Sequence, residues 1–230
     1  MNRTANEQLV KATFFTQANV RLTRLANRFF ADAPTVVAEA EAIFDAMLPT
    51  LAYVDKPQHP LASALFICSV NLALYLALRQ RGVAVHAFGN ALLQGLQRVP
   101  MPAQPEESKE TLQTRLTAFA ELAALSQTSA QPGEDVFEIV TGADFDWGYN
   151  VKSCAICAAA TKHQAMEVVP YMCAVDDVIS DKNNQGLRRS GSLALGASHC
   201  DFRYQHGGQP QRLAEQFPKL IQISGLDASN

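Results

Sequence analysis

Residues 150–204 decide the fold of this chain and carry most of its reactive side chains. The stretch begins NVKSCAIC (150–157), continues through VPYMCAVDD (169–177) and ends with SGSLALGASHCDFRY (190–204). It contains four of the five cysteines and two of the five histidines, namely Cys154, Cys157, Cys173, Cys200, His163 and His199. Because no other part of the chain concentrates nucleophilic side chains in this way, we expect the functional site to be built here.

Two helices are predicted inside this stretch. The first covers 151–163 and places Cys154 and Cys157 on one face, since residues three apart are neighbours on a helix. Pro170 suits a first helical turn and predicts a second helix that runs to about residue 180. Cys173 lies one turn before Asp176 in this second helix, so that a thiol and a carboxylate would line the same pocket.

The end of the stretch predicts a β-hairpin. Segments 187–196 and 198–204 have the pattern of two antiparallel strands joined by a tight Gly-Ala turn. Side chains alternate along a strand, so Cys200 points to one face of the last strand. The neighbouring polar side chains point to the other face: His199, Asp201 and Arg203.

The rest of the chain is predicted to be mainly helical. Apolar residues recur at helical spacing over five segments, which are 14–30, 34–49, 61–80, 83–96 and 107–125. A linker follows at 126–133, and 136–142 alternates like a strand. The sequence therefore predicts an α+β fold, with a helical N-terminal half followed by a C-terminal antiparallel sheet and two helices. We expect a helical region, 1–130, and a cysteine-containing catalytic region, 131–230, to form one compact unit.

Composition and charge exclude several classes of function. The 230 residues are 48% hydrophobic and 18% charged, which is ordinary for a globular protein with a sizeable core. A formal net charge of −3 argues against a nucleic-acid partner, which needs a basic surface. The polar N-terminus has no secretory pattern, and five clustered cysteines predict reduced thiols in the cytoplasm.

Residues 61–78 test the expectation of a soluble protein. They are nearly all apolar and approach the ~20 residues of a membrane span. Ser63, Ser69 and Asn71 interrupt the run, so we expect a buried core helix and no membrane contact. The expected partner is a small molecule, and a homo-oligomer is compatible with the sequence.

The clustered thiols admit structural interpretations as well as a catalytic one. A free cysteine is among the most buried residue types, so each one taken singly is typical of a core. Asp201 and Arg203 fit a surface ion pair as well as a binding site. A zinc site needs four ligands, and the Cys154–Cys157 pair could gain the others only from Cys173 with His199 or Cys200. No metal and no other cofactor is assigned on this pattern.

Four segments resemble the L-2-amino-thiazoline-4-carboxylic acid hydrolase family. They are NVKSC (150–154), CAVD (173–176), RSGSL (189–193) and GASHCDFRY (196–204), in which Ser192 stands where the family pattern has threonine. The resemblance implies that eight positions are shared with the family: Asn150, Cys154, Cys173, Asp176, Arg189, Cys200, Asp201 and Arg203. Cys157 and His199 are not part of that pattern, and His199 is kept as a further catalytic candidate.

The resemblance implies hydrolytic opening of a cyclic amidine at a C–N bond, giving an N-carbamoyl amino acid that would serve cysteine biosynthesis. Cys154 is the predicted nucleophile, since a thiolate is strongly nucleophilic once its pKa is lowered. Asp176 would act as acid or base, or hold the protonated amidine. Further catalytic candidates are Cys173, Cys200 and His199. The predicted substrate-binding residues are Asn150, Arg189, Asp201 and Arg203, with an arginine taking the substrate carboxylate.

Two alternatives stay open from the sequence. A metal-dependent hydrolase could use the same cluster of cysteine, histidine and aspartate. The G-x-x-x-C-D-F ending also resembles small-molecule-binding domains of the 4-vinyl reductase type, which would bind or sense a ligand without turnover. A mainly apolar pocket would favour the binding module, whereas converging titratable groups would favour the enzyme.

Overall fold

The computed structural model describes residues 2–100 and 108–211, and its helices dominate residues 2–100 and 108–129. They are α1 (Arg3–Val10), a π-helical segment (Lys11–Thr16), α2 (Gln17–Ala26), α3 (Ala33–Met47), α4 (Ala62–Gln80), α5 (Val85–Gln97) and α6 (Lys109–Ser129). The five helices predicted from apolar spacing are confirmed, and α6 continues into the predicted linker. Residue 107, its predicted start, and the predicted region beyond residue 211 lie outside the described residues.

Helix α4 is the centre of the helical core because it is apolar on nearly every face. Its residues 70–78 are buried without interruption, and α3 packs along its length. Gly82 follows with a φ of +86°, a left-handed conformation that turns the chain away directly after the helix. The helix is long and apolar enough to cross a membrane, yet 72% of its most apolar stretch is buried inside the fold. This burial is typical of the core helix of a soluble protein.

A three-stranded antiparallel sheet follows α6. Its strands lie in the order β1 (Val136–Val140), β2 (Trp147–Ser153) and β3 (Cys200–Tyr204). Helices α7 (Ala155–Lys162) and α8 (Val169–Lys182) connect β2 to β3. The predicted α+β class, with helices first and an antiparallel sheet with two helices afterwards, is therefore confirmed.

The predicted start of the first helix in this region is wrong. The helix predicted from residue 151 begins at Ala155, because residues 147–153 form strand β2. Trp147, Tyr149 and Val151 alternate with smaller or polar residues in this segment. Aromatic and β-branched side chains at alternate positions favour a strand that is buried on one face.

The predicted hairpin is also wrong, since residues 187–196 do not form a strand beside β3. Arg188 makes an isolated bridge with Arg203 through two backbone hydrogen bonds of 2.8 and 3.0 Å. Beyond it, the Asp201 carboxylate accepts hydrogen bonds from the backbone N–H groups of Ser190 and Gly191, and a 3₁₀ helix (Leu193–Leu195) follows. A side chain that captures backbone donors in this way replaces a strand ladder by a loop. Strand β3 pairs with β2 instead.

The two faces of the sheet differ in chemistry. One face is aromatic and apolar and consists of Phe137, Trp147, Tyr149, Val151, Cys200, Phe202 and Tyr204. Its rings form stacked pairs, with centroids 4.6 Å apart for Tyr149 and Phe202 and 4.0 Å apart for Trp147 and Tyr204. Helix α6 covers the β1 side of this face through Phe119. The opposite face carries the polar side chains of Glu138, Asn150, Lys152, Asp201 and Arg203, beside Val140 and Gly148.

Helices α7 and α8 belong to the core of the helical half. Buried apolar side chains form one continuous cluster that extends from Val10 of α1 to Met172 of α8. A smaller cluster on the sheet contains Leu187, Cys200, Phe202 and Tyr204. The shared packing of α7 and α8 with the N-terminal helices supports our proposal that the two predicted regions form one unit.

Gly89 allows helices α5 and α8 to pack closely. A Cβ atom at this position would lie 2.0 Å from Cδ1 and 2.3 Å from Cγ of the Tyr171 ring. Because this buried ring has little room to move, Gly89→Ala is expected to lower the free energy of unfolding by about 1–3 kcal/mol. Gly95→Ala is the matched control on the same helix: a Cβ there meets nothing within 4 Å, so it should stabilise by up to about 1 kcal/mol. Chemical denaturation compares the two variants, and equal unfolding midpoints would contradict the tight contact.

Candidate active site

Cys154 lies between the end of β2 and the first turn of α7, at the N-cap position of the helix. Its backbone is extended, and its carbonyl oxygen accepts a hydrogen bond from Ala158 N at 3.0 Å. The Asp135 carboxylate accepts a hydrogen bond from Ala155 N at 3.0 Å and so fixes the start of the helix. Cys154 is half-buried at the positive end of the helix dipole.

The surroundings of Cys154 favour its thiolate form. The neighbouring Cys157 thiol has the largest effect and lowers the pKa of Cys154, against the opposing effects of burial and of the Asp135 carboxylate. The backbone N–H groups of Cys157 and Ile156 lower this pKa further. Since the Cys154 side chain makes no well-aligned capping hydrogen bond, the effect comes from the closeness of these dipoles. The pKa of Cys157 is raised, chiefly by its contact with Cys154, so Cys154 is the member of the pair that loses its proton first.

Asp176 presents its carboxyl group in a concave part of the surface. The side chain is 44% exposed, yet desolvation by the surrounding protein raises its pKa to about 6, with Arg189 opposing the shift and Asp177 adding to it. A group that is accessible to water and still poorly hydrated lies in a recess rather than on a convex surface. We call this region the thiol recess and define it by Cys154, Cys157, Cys173, Asp176 and Cys200.

Sulfur atoms from α7, α8, β3 and the residue before α7 meet in the thiol recess. Cys157 is in contact with Cys154 and lies within electrostatic range of Cys173 and Cys200. The buried Ser192 hydroxyl lies 4.0 Å from the Cys173 sulfur and 3.8 Å from the Cys200 sulfur. Burial raises the pKa of both Cys173 and Cys200, which therefore act as neutral thiols beside the reactive Cys154.

Arg189 is fully buried behind Asp176, and protein groups occupy its guanidinium. Nη2 donates hydrogen bonds to Asp177 Oδ1 at 2.5 Å and to the Cys173 carbonyl oxygen at 3.0 Å. Nη1 lies 3.4 Å from Asp176 Oδ2, and the guanidinium packs over the Phe202 ring. These contacts tie α8 to the sheet and weigh against the predicted role of Arg189 in binding the substrate carboxylate.

Tyr149 and Tyr204 border the thiol recess on the side of the sheet. Their hydroxyl groups interact with each other, and both rings are electrostatic neighbours of Asp176. Burial raises the pKa of both, so they remain neutral. The recess therefore combines titratable groups with an aromatic wall.

Cys68 of α4 extends the site beyond the predicted cluster. It is half-buried and in electrostatic contact with both Asp176 and Cys154, and burial raises its pKa. Cys68 was not predicted from the sequence, because it lies more than 80 residues before Cys154, in the most apolar helix. The one available signal was its spacing of three residues from Asn71, a polar residue on the same apolar helix.

Asp135 and Tyr53 support the start of α7 and were also missed. Tyr53 Oη donates a hydrogen bond to Asp135 Oδ2 at 3.0 Å and accepts one from Asp135 N at 2.9 Å. Tyr53 has a φ of +64°, which is uncommon for a residue other than glycine. Two adjacent acidic residues before a strand carry no spacing signal, so the sequence alone could not assign Asp135.

Four predicted site residues lie away from the thiol recess: Asn150, His199, Asp201 and Arg203. Asn150 accepts a hydrogen bond from Arg203 Nη2 at 2.8 Å and donates one to Glu138 at 3.2 Å across the polar face of the sheet. His199 is an electrostatic neighbour of the same Glu138, and Asp201 holds the loop at Ser190. These contacts fix the sheet and the loop that carries Ser192, and so shape the recess from outside.

Two further features bear on alternative sites. Within residues 2–100 and 108–211, no three His, Cys, Asp or Glu side chains converge in an arrangement that could hold a metal ion. A separate surface concavity of about 430 Å³ lies between residues 50–56 and 131–134, beside the ion pair of Lys56 and Glu134. Its lining contains no cysteine and no histidine, so the clustered thiols lie outside it.

A family model for L-2-amino-thiazoline-4-carboxylic acid hydrolase matches residues 67–204, which is more than half of the chain. The match begins within α4, ends with β3 and includes every residue of the thiol recess. Comparison with curated proteins and with solved structures finds no match. The chain therefore belongs to the L-2-amino-thiazoline-4-carboxylic acid hydrolase family.

Proposed function

We propose that this protein opens the ring of 2-amino-thiazoline-4-carboxylate, or of a closely related cyclic amidine, with Cys154 as the nucleophile. The observation that carries the proposal is a cysteine of lowered pKa at a helix N-terminus, in the same recess as an accessible carboxyl group of raised pKa. Pairs of titratable groups whose pKa values are shifted in opposite directions are typical of active sites. Family membership supplies the substrate class, and the geometry supports the assignment of roles.

The bond that breaks follows from the product. In an N-carbamoyl amino acid the former ring nitrogen remains attached to C2, so the bond that opens is the one between C2 and the ring sulfur. Cleavage of the ring C–N bond, as expected from the sequence, would give an S-carbamoyl product instead. We therefore propose C–S cleavage for the N-carbamoyl product.

The first step uses the Cys154 thiolate and the Asp176 carboxylate. The carboxylate accepts a hydrogen bond from the protonated amidine, which makes C2 more electrophilic. The thiolate attacks C2, and the tetrahedral adduct expels the ring sulfur with its bonding electron pair. That sulfur takes a proton from solvent, and the former C2 is left as a cationic isothiourea attached to Cys154.

The second step is hydrolysis of this intermediate. Asp176 accepts a proton from water as the water attacks the same carbon, which gives a neutral tetrahedral adduct. Collapse of the adduct expels the Cys154 thiolate and leaves a protonated urea. This urea and the protonated Asp176 each lose a proton to solvent, which restores the starting enzyme. The net reaction adds one water molecule and gives an N-carbamoyl amino acid with a free thiol, without oxidation or reduction.

The test is to incubate the purified protein with 2-amino-thiazoline-4-carboxylate and identify the products. Opening at the C–S bond creates a new thiol, which a chromogenic reagent detects after the protein is removed. Opening at the ring C–N bond gives an amine and no thiol, and loss of the exocyclic nitrogen releases ammonia. Mass spectrometry of an N-carbamoyl product would support the proposal, whereas unchanged substrate or ammonia release would overturn it.

A second candidate function rests on the aromatic wall of the recess. The stacked rings of Tyr149, Phe202, Trp147 and Tyr204 form an apolar wall that suits a binding or sensing module. Such a module would retain a flat ligand and consume no cyclic amidine. The same incubation distinguishes the two functions, because turnover is a property of the enzyme alone.

The proposed roles of Asp176 predict a pH dependence. Both steps need the carboxylate form, and the pKa of this group is raised to about 6. We expect kcat/KM to fall about tenfold per pH unit below pH 6, because protonation of Asp176 removes the active form. Asp176→Asn should lower kcat/KM on the order of a hundredfold and remove the inflection near pH 6, so that the fall remaining at acidic pH comes from protonation of the Cys154 thiolate. A variant that keeps the inflection near pH 6 would show that another group sets it.

A further inference from the structure

The thiol recess still needs a partner for the substrate carboxylate. The two arginines predicted for this role are engaged in the protein, Arg189 with Asp177 and Arg203 with Asn150 and backbone carbonyl groups. Arg203 also lies on the polar face of the sheet, away from Cys154. A cation for the carboxylate must therefore come from another element.

Arg21 of α2 approaches the recess from the helical half. Its Nη1 donates a hydrogen bond to Asn71 Oδ1 at 2.8 Å, and Asn71 is buried in α4. Within residues 2–100 and 108–211, the Arg21 side chain makes no other hydrogen bond. Its Nη2 and Nε atoms are therefore available to a ligand. Asn71 lies one turn after Cys68 on the same helix, which places the guanidinium beside that thiol.

Cys68 connects Arg21 with the reactive groups. Its thiol lies within electrostatic range of Arg21 and also of Cys154 and Asp176. A cation and an anion therefore border the same region, with the proposed nucleophile near both. This arrangement matches a substrate that carries a carboxylate at one end and a protonated amidine at the other.

The surroundings of Arg21 are those of a cation in a recess. The residue is exposed, yet desolvation by the protein lowers the pKa of its guanidinium. As for Asp176, accessibility combined with poor hydration indicates a concave surface. A poorly hydrated guanidinium binds a carboxylate more strongly than one on an open surface, because less water has to be displaced.

We propose that Arg21 binds the carboxylate of the cyclic amidine, with Asn71 orienting its guanidinium. The inference rests on the proposed function and adds a specificity-determining residue to it. Arg21 lies before residue 67 and thus outside the stretch that matches the family model. Selection for a substrate with a carboxylate is accordingly assigned to the N-terminal helices, whereas the reacting groups come from the C-terminal half.

The test compares two substrates, 2-amino-thiazoline-4-carboxylate and 2-amino-thiazoline without the carboxylate. Arg21→Met is expected to lower kcat/KM for the first about a hundredfold and to leave the second unchanged. Arg21→Lys should restore part of the loss, because it keeps the charge without the paired donors. Arg24→Met, on the same helix and exposed, is the matched control and should leave both values unchanged.

The outcomes separate this inference from the proposed function. An equal loss for both substrates, or an unchanged preference for the carboxylate, would overturn the role of Arg21 while the hydrolase proposal stands. If the wild type opens neither compound, the proposed function fails, and calorimetric binding of the two compounds then decides. The inference is supported if binding requires both the substrate carboxylate and Arg21. It is overturned if neither compound binds, or if binding is unchanged by removing the carboxylate or by replacing Arg21.

Discussion

Cys154→Ala is expected to lower kcat/KM by at least about a thousandfold, since it removes the atom that attacks the substrate. The fold should survive the change because the Cys154 side chain makes no well-aligned capping hydrogen bond and Asp135 holds the first turn of α7. Steady-state kinetics with the thiazoline substrate measures the loss, and thermal unfolding checks the fold. If this variant keeps full activity, water or another cysteine is the nucleophile.

Alkylation offers an independent control for the same assignment. The pKa values of Cys68, Cys157, Cys173 and Cys200 are all raised, whereas that of Cys154 is lowered. Iodoacetamide at neutral pH should therefore modify Cys154 first, because the thiolate is the reactive form. Peptide mapping identifies the modified residue, and activity should disappear in step with it. Modification of a different cysteine at the same rate as inactivation would contradict the assignment.

Asp177→Ala is expected to have the largest effect on stability. It leaves the buried Arg189 guanidinium, only 1% exposed, without the carboxylate 2.5 Å away that neutralises it. Removing one partner of a buried ion pair typically costs about 3–5 kcal/mol, because the remaining charge is poorly hydrated. Denaturant unfolding of the variant measures the change in the free energy of unfolding.

Asp144→Ala is the matched control for this prediction. Asp144 pairs with Arg188 at 3.4 Å, but its side chain is 76% exposed, so its loss should cost at most about 1 kcal/mol. Similar values for the two variants would mean that Asp176 and the Cys173 carbonyl oxygen compensate the charge of Arg189. In that case the acidic pair on α8 would be redundant for stability.

The sequence predicted those parts of the fold that depend on one-dimensional patterns. Helices α3, α4 and α8 follow from apolar spacing and from prolines at their starts or ends, which are local signals. Strand β2 was not predicted. The small residues after Ser153 have a helical pattern that Val151 and Lys152 also fit, so the helix was predicted to begin too early. The false hairpin arose because a regular alternation cannot show that the Asp201 side chain captures the backbone of the neighbouring loop.

The candidate site was predictable only in part. Cysteine density and the family resemblance indicated Cys154, Cys173, Cys200 and Asp176, which the fold places together. The same motif contains Asp201 and Arg203, yet strand alternation directs them to the far face, where they hold the sheet and the loop. Three distant contributors could not be predicted from the sequence: Arg21, Cys68 and Asp135. Long-range packing brings them to the site, and no residue spacing indicates that packing.

The stacked rings on the apolar face of the sheet give this protein a built-in optical reporter. Trp147 is the single tryptophan of the chain, and its ring lies parallel to Tyr204 at 4.0 Å with the Arg115 guanidinium on it at 4.6 Å. Tyr204 in turn neighbours Asp176. Because indole emission responds to nearby charge and polarity, a molecule that enters beside Asp176 should change the fluorescence of the unlabelled protein. Occupancy can then be followed in real time, even with compounds that are never turned over.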